Sequence, residues 1–355
     1  MIYVGVSARL LVNVEALNMA ESVGNVVRHK RAPIVVRVVR EGRVVGYALR
    51  YAPVISGQSI AHGYQELLAR IGKSMGIPVC PLCEQGVFVK HSSDVIIERI
   101  AKEYGADYAR KLLAVVKSRG YSAEEVERII VENCLVEDVG GFLYPGATPV
   151  KRTSRFLASY MVPSIEHHTA VGVEAQFHVR HDPLQIEEGG QAIYYVETGS
   201  ALYTLSLGLD MSGIGCLSMG RSGAVGDRRK RIEAAVRALA LLVSGMGWGA
   251  KKSRFLPSYE VESLVVTISS PLPYNPAPGH STSYIADTAR HAAPYLRAVE
   301  GLGERFVKVV YYISGRAPVE KPPKVEGVEV VEKSSPADAV LEALNHVGKA
   351  SEKCT

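Results

Sequence analysis

The chain has 355 residues, of which 47% are hydrophobic and 22% charged, with 41 Lys and Arg against 36 Asp and Glu. That is enough apolar content to fill a core across about two folding units, or one core with large insertions, so wholesale disorder is excluded. No apolar run approaches the roughly 20 residues that span a bilayer. The opening stretch MIYVGVSARLLVNV is interrupted by Gly, Ser, Arg and Asn. It reads as a strand and not a signal peptide, so a cytoplasmic chain with no membrane partner is expected. The net charge of +5 is mild, but eight basic residues against two acidic ones fall between Gly226 and Phe255. A positive middle of this kind suits a nucleic-acid partner without requiring one.

In chain order, Ile2, Val4, Val6, Ala8, Leu10, Val12 and Val14 alternate with Tyr3, Ser7, Arg9 and Asn13, which predicts a strand with one apolar and one polar face. A basic loop, Arg28-His29-Lys30-Arg31, precedes IVVRVVREGRVVGYALRY, a hairpin turning at Glu41-Gly42. Ser56 caps a predicted helix reaching Met75 through Ile60, Tyr64, Leu67, Leu68 and Ile71. Residues 94–118 read as one amphipathic helix. Ser122 and Glu125 form a capping box for another that ends near Cys134. After the turn-rich GGFLYPGATP, residues 151–182 are polar and β-leaning with a break from Pro163 to Thr169, as in a projecting hairpin. A long strand, QAIYYVETGSALYTLSLGLD, a helix at 227–243, a glycine loop SGMGWGAKKSRFLP and the strand VESLVVTIS follow.

Without its insertions the order is βαββαβ, the ferredoxin-like order shared with RNA-recognition modules. The expected class is α+β. The expected division is a discontinuous core from 1–75 and 171–270, a helical insertion at 76–140, a hairpin or thumb at 148–182 that overlaps the core strand near 171–180, and an extension at 271–355. A sheet of this kind carries its helices on one face. The other, bearing Ser7, Arg9 and Asn13, is expected to be free.

The glycine loop places Lys251, Lys252 and Arg254 after Gly245, Gly247 and Gly249, a backbone that approaches phosphate closely beside cations that pair with it. Its spacing is not that of a Walker loop. Lys151, Arg152 and Arg155, interleaved with Thr153 and Ser154, are a second phosphate-contacting pattern or a solvated stretch. Ser56 and Gln58 open a helix whose amides suit an anion, and His62, about a turn and a half in, reads as a buried, satisfied histidine or as a ligand contact. His167, His168, His178 and His181 flank the proposed hairpin, and His178 suits stacking on a base better than metal ligation. Cys80 and Cys83 make one C-x-x-C, but the five cysteines provide no second such pair. Zinc, a redox disulfide and an inert pair remain open there, with no metal or cofactor expected. Neither a nucleophile with a base nor a usable pair of carboxylates stands out, so no enzyme is expected.

Several stretches, in this order over roughly residues 1–270, resemble the RNA-binding backbone subunit of archaeal type I-A CRISPR surveillance complexes (Cascade), the DevR-type autoregulator family. They are NVEALNMAESVGN, YAPVISGQSIAHGYQ, DVGGFLYPG, PVKRTSR, EAQFHVR, SALYTLSL and GAKKSRFLPS followed by SLVVT. The resemblance implies a modified RNA-recognition fold with a thumb. Copies would stack along CRISPR RNA, display its bases to target DNA and sit beside other Cascade subunits. Carried over by motif, the RNA-contact candidates are Asn13, Asn25, His29, Lys30, Ser56, Gln58, His62, Lys151, Arg152, Arg155, Gln176, His178, Arg180, Lys251, Lys252 and Arg254. RNA-cutting type III relatives carry an aspartate after the first strand, whereas Met19 to Pro33 holds Glu21 and no aspartate. The rival readings are a metal-dependent ribonuclease using Glu21, Asp138 or the histidines, and a DNA-binding autoregulator.

Overall fold

The computed structural model describes residues 1–118, 120–180, 192–220, 223–245 and 248–354. The alternating N-terminus forms β1 (Tyr3–Glu15), followed by a short hairpin of β2 (Met19–Val23) and β3 (Val26–His29) and a long one of β4 (Arg31–Arg40) and β5 (Arg43–Pro53). The long hairpin turns at Glu41-Gly42, both at positive φ (50° and 76°), as a two-residue turn between twisted strands demands. Six helices come next: α1 (Gly57–Ser74), α2 (Pro81–Glu84), α3 (Asp94–Glu103), α4 (Asp107–Lys117), α5 (Ala123–Asn133) and α6 (Leu135–Gly140). The single helix expected at 94–118 is two, because Gly105 takes a left-handed φ of 65° between them. Ser122 caps α5 as its sequence suggests, its Oγ accepting from the Glu125 amide at 3.4 Å.

Short strands β6 (Phe142–Tyr144), β7 (Val150–Arg152), β8 (Phe156–Ala158) and β9 (Val162–Pro163) lead to β10 (Val171–Arg180) and the long β11 (Ala192–Asp210). Then come α7 (Arg228–Ser244), β12 (Ser258–Ser270), α8 (Tyr284–Ala298), β13 (Phe306–Ile313), β14 (Glu329–Glu332), α9 (Pro336–Leu341) and α10 (Val347–Glu352). The result is a mixed α and β architecture around one large sheet. Its strands lie in the order β14-β13-β12-β1-β11-β3-β2, and β8, β9 and β10 also pair with β11.

The apolar side of β1 (Val4, Val6, Ala8, Leu10, Val12) packs under α1 and α7 through Ile60, Tyr64, Leu68, Ile232, Val236 and Leu239, all buried. The Tyr64 hydroxyl donates to the Ala235 carbonyl at 3.0 Å and ties the two helices together. Helices α3 to α6 build a second apolar cluster of their own around Ile97, Ile100, Leu112, Val126 and Ile130.

Three expectations are corrected. First, the polar face of β1 is not free. Ser7 and Arg9 are wholly buried. Arg9 pairs with Glu262 at 2.5 Å and donates to the Gly279 carbonyl at 3.2 Å, and the Tyr3 hydroxyl donates to Asn275 at 2.8 Å. The segment after β12, with α8, covers that face, so only Asn13 of the polar set stays exposed. Second, Ser164 to Thr169 is not a projecting tip. Ser164 is buried and donates to the His280 carbonyl at 2.9 Å, while Glu166 accepts from the Thr282 amide at 3.1 Å. The hairpin in this part of the chain is instead β10 with the first half of β11, register Val171↔Ala201 to Arg180↔Ala192. Third, the chain after residue 270 is no appendage. β13 and β14 extend the sheet, and Ala339, Val340, Ala343, Val347 and Ala350 join the main core. A disulfide from Cys216 to Cys354, 138 residues apart, fixes the tail. No helix among the described residues is long and apolar enough to cross a membrane.

Candidate nucleic-acid interface

At the end of β1 where Asn13 faces Ser258 of β12, three chain segments meet. The link after β1 brings Leu17, Asn18 and Met19; the start of α1 brings Ser56, Gln58, Ser59 and His62; the loop before β12 brings Gly249, Ala250 and Lys252. Together with Glu66 they line a cleft of about 480 Å³. The loop is seated by close packing. Trp248 is buried against Gly63 of α1, where any Cβ would come within 2.6 Å of its side chain. The Ala250 amide donates to the Leu17 carbonyl at 3.0 Å.

Gln58 and His62 are exposed toward this cleft. His62 rests edge-on against Phe88 at 4.8 Å and lies 3.5 Å from Glu66, whose other carboxylate oxygen is 3.7 Å from Lys252 Nζ. Lys251 and Arg254 are exposed on the same loop. Arg254 Nη1 donates to the Tyr194 hydroxyl. Tyr194 stacks on His178 with centroids 5.1 Å apart, and Phe255 meets the same imidazole edge-on at 5.5 Å. The loop therefore joins the cleft to the β10–β11 hairpin, which also carries the half-buried Gln176. Arg180 ends β10, but its side chain, like His181 and Gly247, lies outside the described residues.

The neighbouring β2–β3 hairpin carries Asn25, exposed, with Nδ2 donating to the Ile193 carbonyl at 3.3 Å. The Lys30 ammonium lies 5.9 Å over the Tyr160 ring. Arg28 and Arg31 are paired with Glu21 (3.6 Å) and Glu197 (3.1 Å).

The sequence set divides here, and several of its members do structural work. Ser56 is buried. Its Oγ accepts from the Ser59 amide at 3.3 Å and donates to Asn18 Oδ1 at 2.7 Å, so it caps the helix. His29 is buried too, with Nδ1 donating to the Lys30 carbonyl at 2.8 Å and Nε2 set 2.5 Å from Glu15 Oε1. Glu15 also accepts from the Tyr203 hydroxyl (2.9 Å) and the Leu17 amide (2.8 Å). His29 is a pin between β3 and β1, not a surface contact.

Lys151, Arg152 and Arg155 lie elsewhere. Arg155 pairs at 3.1 Å with Asp210, which faces Tyr3 at the opposite end of β1 from Asn13, nearly a full strand away, or roughly 30 Å. Lys151 is exposed on the β6–β7 hairpin. Arg152 has no exposed side-chain surface. It pairs with Glu127 Oε1 at 2.8 Å and with Asp138, and donates to the Cys216 carbonyl at 2.6 Å. Burial and a complete set of protein acceptors leave it no phosphate to meet.

The His29 arrangement has a pH signature. Burial opposes the imidazolium, but the hydrogen bond and charge of Glu15, the Lys30 carbonyl and Glu197 outweigh it, so the His29 pKa is raised. Its stabilisation is full below the unfolded value of about 6.5 and is lost as pH rises through the higher folded value. The difference in unfolding temperature between the native chain and His29→Gln should therefore shrink as pH is raised from about 6 toward about 9. A difference that stays constant over that range contradicts the assignment.

A family model described as CRISPR-associated negative auto-regulator DevR/Csa2 matches residues 6–289. The chain belongs to the DevR/Csa2 family. "CRISPR-associated aCascade subunit Cas7/Csa2 2" of Saccharolobus solfataricus is 39% identical over 290 residues, 79% of this chain and 84% of that one. "CRISPR-associated protein Cas7/Csa2 1" of the same organism is 36% identical over 293 residues, covering 80% and 84%. Among solved structures, a chain of a "CRISPR RNA-guided surveillance complex, pre-nicking" aligns over 96% of this chain and 100% of its own, with 11% identity and a TM-score of 0.48.

Within this DevR/Csa2 chain the cleft also uses Asn18 and Ser59, which the sequence reading passed over. Asn18 has a signal only in hindsight: its side chain receives both the amide (2.9 Å) and the hydroxyl of Ser56, a pairing across 38 positions that no local pattern reveals. Among the described residues one group has the donor atoms for a metal, Cys80, Cys83, Cys134 and Glu137, and it contributes nothing to the cleft.

Proposed function

We propose that this DevR/Csa2 chain is a non-catalytic CRISPR RNA-binding subunit that lines up in copies along the guide, which then pairs with target DNA beside other Cascade subunits in the cytoplasm. One observation carries the reading. Gln58, His62 and Lys252, singled out in separate stretches of sequence, converge on one cleft in a chain whose relative is named a subunit of aCascade. The cleft continues along Lys251 and Arg254 to the ring stack of His178 and Tyr194. Cations for phosphates beside flat rings for bases are what single-stranded RNA requires.

A ferredoxin-like, RNA-recognition-type core underlies this reading. It is supported by β12-β1-β11-β10 as neighbours and α1 with α7 on one face. β10 pairs only with the first half of β11, and β8 and β9 take the rest of that edge, so the core is a modified one. The thumb is the β10–β11 hairpin.

The surface for a second copy is the β4–β5 hairpin. Cross-strand pairing puts Val35 with Leu49 and Pro33 with Tyr51 on one face. Val35, Val39, Tyr47, Leu49 and Tyr51 are between 55% and 73% exposed. A two-stranded ribbon with so much apolar surface in water marks an interaction site.

The ribonuclease alternative loses a proposed ligand. Asp138 is wholly buried, with Oδ1 taken by Arg152 and the Gly215 amide and Oδ2 3.2 Å from Arg231. The description of the family model as an auto-regulator favours testing DNA as well. Titrating labelled CRISPR RNA across a salt series, with promoter duplex as competitor, tests the reading. Log affinity should fall with log salt at ~0.7 per phosphate neutralised, and the duplex should compete poorly. A flat salt response, or preference for the duplex, overturns it.

A further inference from the structure

Outside the RNA cleft, the helical insertion holds a set of donors that its apolar surroundings do not explain. Cys80 and Cys83 stand at either end of the first turn of α2, and Cys134 and Glu137 occupy the same relative positions at the start of α6. All four are buried, at 1% exposure or less. Their ligand atoms lie within 4.8 Å of one another, and Cys80 Sγ is 3.8 Å from Glu137 Oε1. The two C-x-x-ligand turns face each other because the Leu135 amide donates to the Pro78 carbonyl at 2.8 Å and holds the chain before α6 against the chain before α2.

We propose that these residues form a structural zinc(II) site with ligands Cys80, Cys83, Cys134 and Glu137. Tetrahedral zinc, with bonds of about 2.3 Å to sulfur and 2.0–2.2 Å to oxygen, spaces its ligand atoms by roughly 3.5–3.8 Å, the separation seen between Cys80 and Glu137. Three thiols remain unpaired here while Cys216 and Cys354 form a disulfide. A disulfide among the three would leave one thiol and a carboxylate without that partner in an apolar cluster.

The shell around the donors is already built. His91 donates from Nδ1 to Glu137 Oε1 at 2.6 Å and from its amide to Oε2 at 3.1 Å, and its Nε2 lies 3.2 Å from the Tyr108 hydroxyl. Ligating carboxylates are oriented by such partners. Three thiolates and a carboxylate exceed the charge of one zinc ion by two. Lys90, whose Nζ donates to the Gly140 and Gly141 carbonyls at 2.9 and 2.5 Å, supplies a cationic group beside the site, and His91 supplies hydrogen-bond donors to Glu137. All four positions come from protein, so the site is closed to substrate. It joins the chain leaving α1 to the end of the helical insertion, and it is independent of the RNA-binding reading.

The test uses the full chain, purified under reducing conditions from cells grown with zinc. Elemental analysis should find about one zinc per chain. Cobalt(II) added to the stripped, reduced protein should give thiolate-to-cobalt charge-transfer absorption and the intense visible bands of a tetrahedral site. Cys83→Ser with Cys134→Ser should lose both signals, and Cys216→Ala with Cys354→Ala should keep them. Should the first pair of changes prevent folding, Glu137→Gln in the folded chain should still weaken zinc binding at least tenfold. The inference is overturned if the reduced protein takes up neither metal, if it carries iron in place of zinc, or if intact mass shows a disulfide among Cys80, Cys83 and Cys134.

Discussion

Replacing Arg152 by Ala should cost about 3–5 kcal/mol of folding stability, whereas replacing its neighbour Lys151 should stay within about 0.5 kcal/mol. Arg152 enters the interior between Glu127 and Asp138 with no exposed surface, and Arg231 closes the far side of Asp138 at 3.2 Å. Glu127 is already held by the Ser218 hydroxyl at 2.6 Å and the Met219 amide at 2.7 Å, so it cannot follow the missing charge outward. Truncation leaves Glu127 buried without its arginine and Asp138 with Arg231 alone, and an uncompensated buried charge is what makes such changes expensive. Each kcal/mol should lower the unfolding temperature by roughly 1–2 °C in a chain of 355 residues. Circular dichroism melts of the two single variants decide the point. If Arg152→Ala melts like the native protein but binds RNA less well, the guanidinium works at the interface and the account of this network is wrong.

The second large effect concerns RNA. Changing Lys251, Lys252 and Arg254 together to Ala should weaken binding of single-stranded CRISPR RNA roughly ten- to a hundredfold at low salt, and lower the salt slope by about 2. Lys251 and Arg254 are exposed, and two surface contacts of the group are Lys252 with Glu66 at 3.7 Å and Arg254 with Tyr194. Exposed pairs of this kind contribute little to folding, so the unfolding temperature should hardly change. Filter binding at several salt concentrations, paired with a melt, separates loss of phosphate contacts from loss of fold. Unchanged affinity with an unchanged slope would make the loop a plain connector between α7 and β12.

These two variants mark what the sequence makes visible and what it does not. Local pattern carried the strand at 3–15, the Glu41-Gly42 turn, the Ser56 and Ser122 caps and the helix after Asp227, because each is fixed by neighbours in the chain. The alternation of Ser7 and Arg9 showed which way those side chains point. It could not show that a segment more than 260 residues later covers them, as Gly279 covers Arg9. The basic runs had the same weakness. Lys151 and Arg152 read alike, yet alternation along β7 puts one in water and the other in a buried ion network. Sequence gave cations, but burial decides whether a cation meets phosphate or carboxylate. The clustering of Cys80, Cys83, Cys134 and Glu137 was hidden for a different reason. A search for a second C-x-x-C misses a C-x-x-E, and the pairing of Cys80 with Cys134 depends on the fold of the whole helical insertion.

The family and its RNA reading survive these corrections because three of the matching stretches, NVEALNMAESVGN, YAPVISGQSIAHGYQ and GAKKSRFLPS, meet at the cleft at the Asn13 end of β1. The reading rests on copies repeating along RNA, with the apolar β4–β5 ribbon as the surface that meets the next one. Contacts of this head-to-tail kind extend instead of closing when the rotation does not close. Light scattering of the purified protein on CRISPR RNAs of increasing length measures this most directly. The mass of the complex should rise in steps with RNA length, and a variant carrying Tyr47→Ser, Leu49→Ser and Tyr51→Ser should bind RNA but lose the cooperative growth. A native protein that remains one copy per RNA at every length and at high concentration would contradict the account.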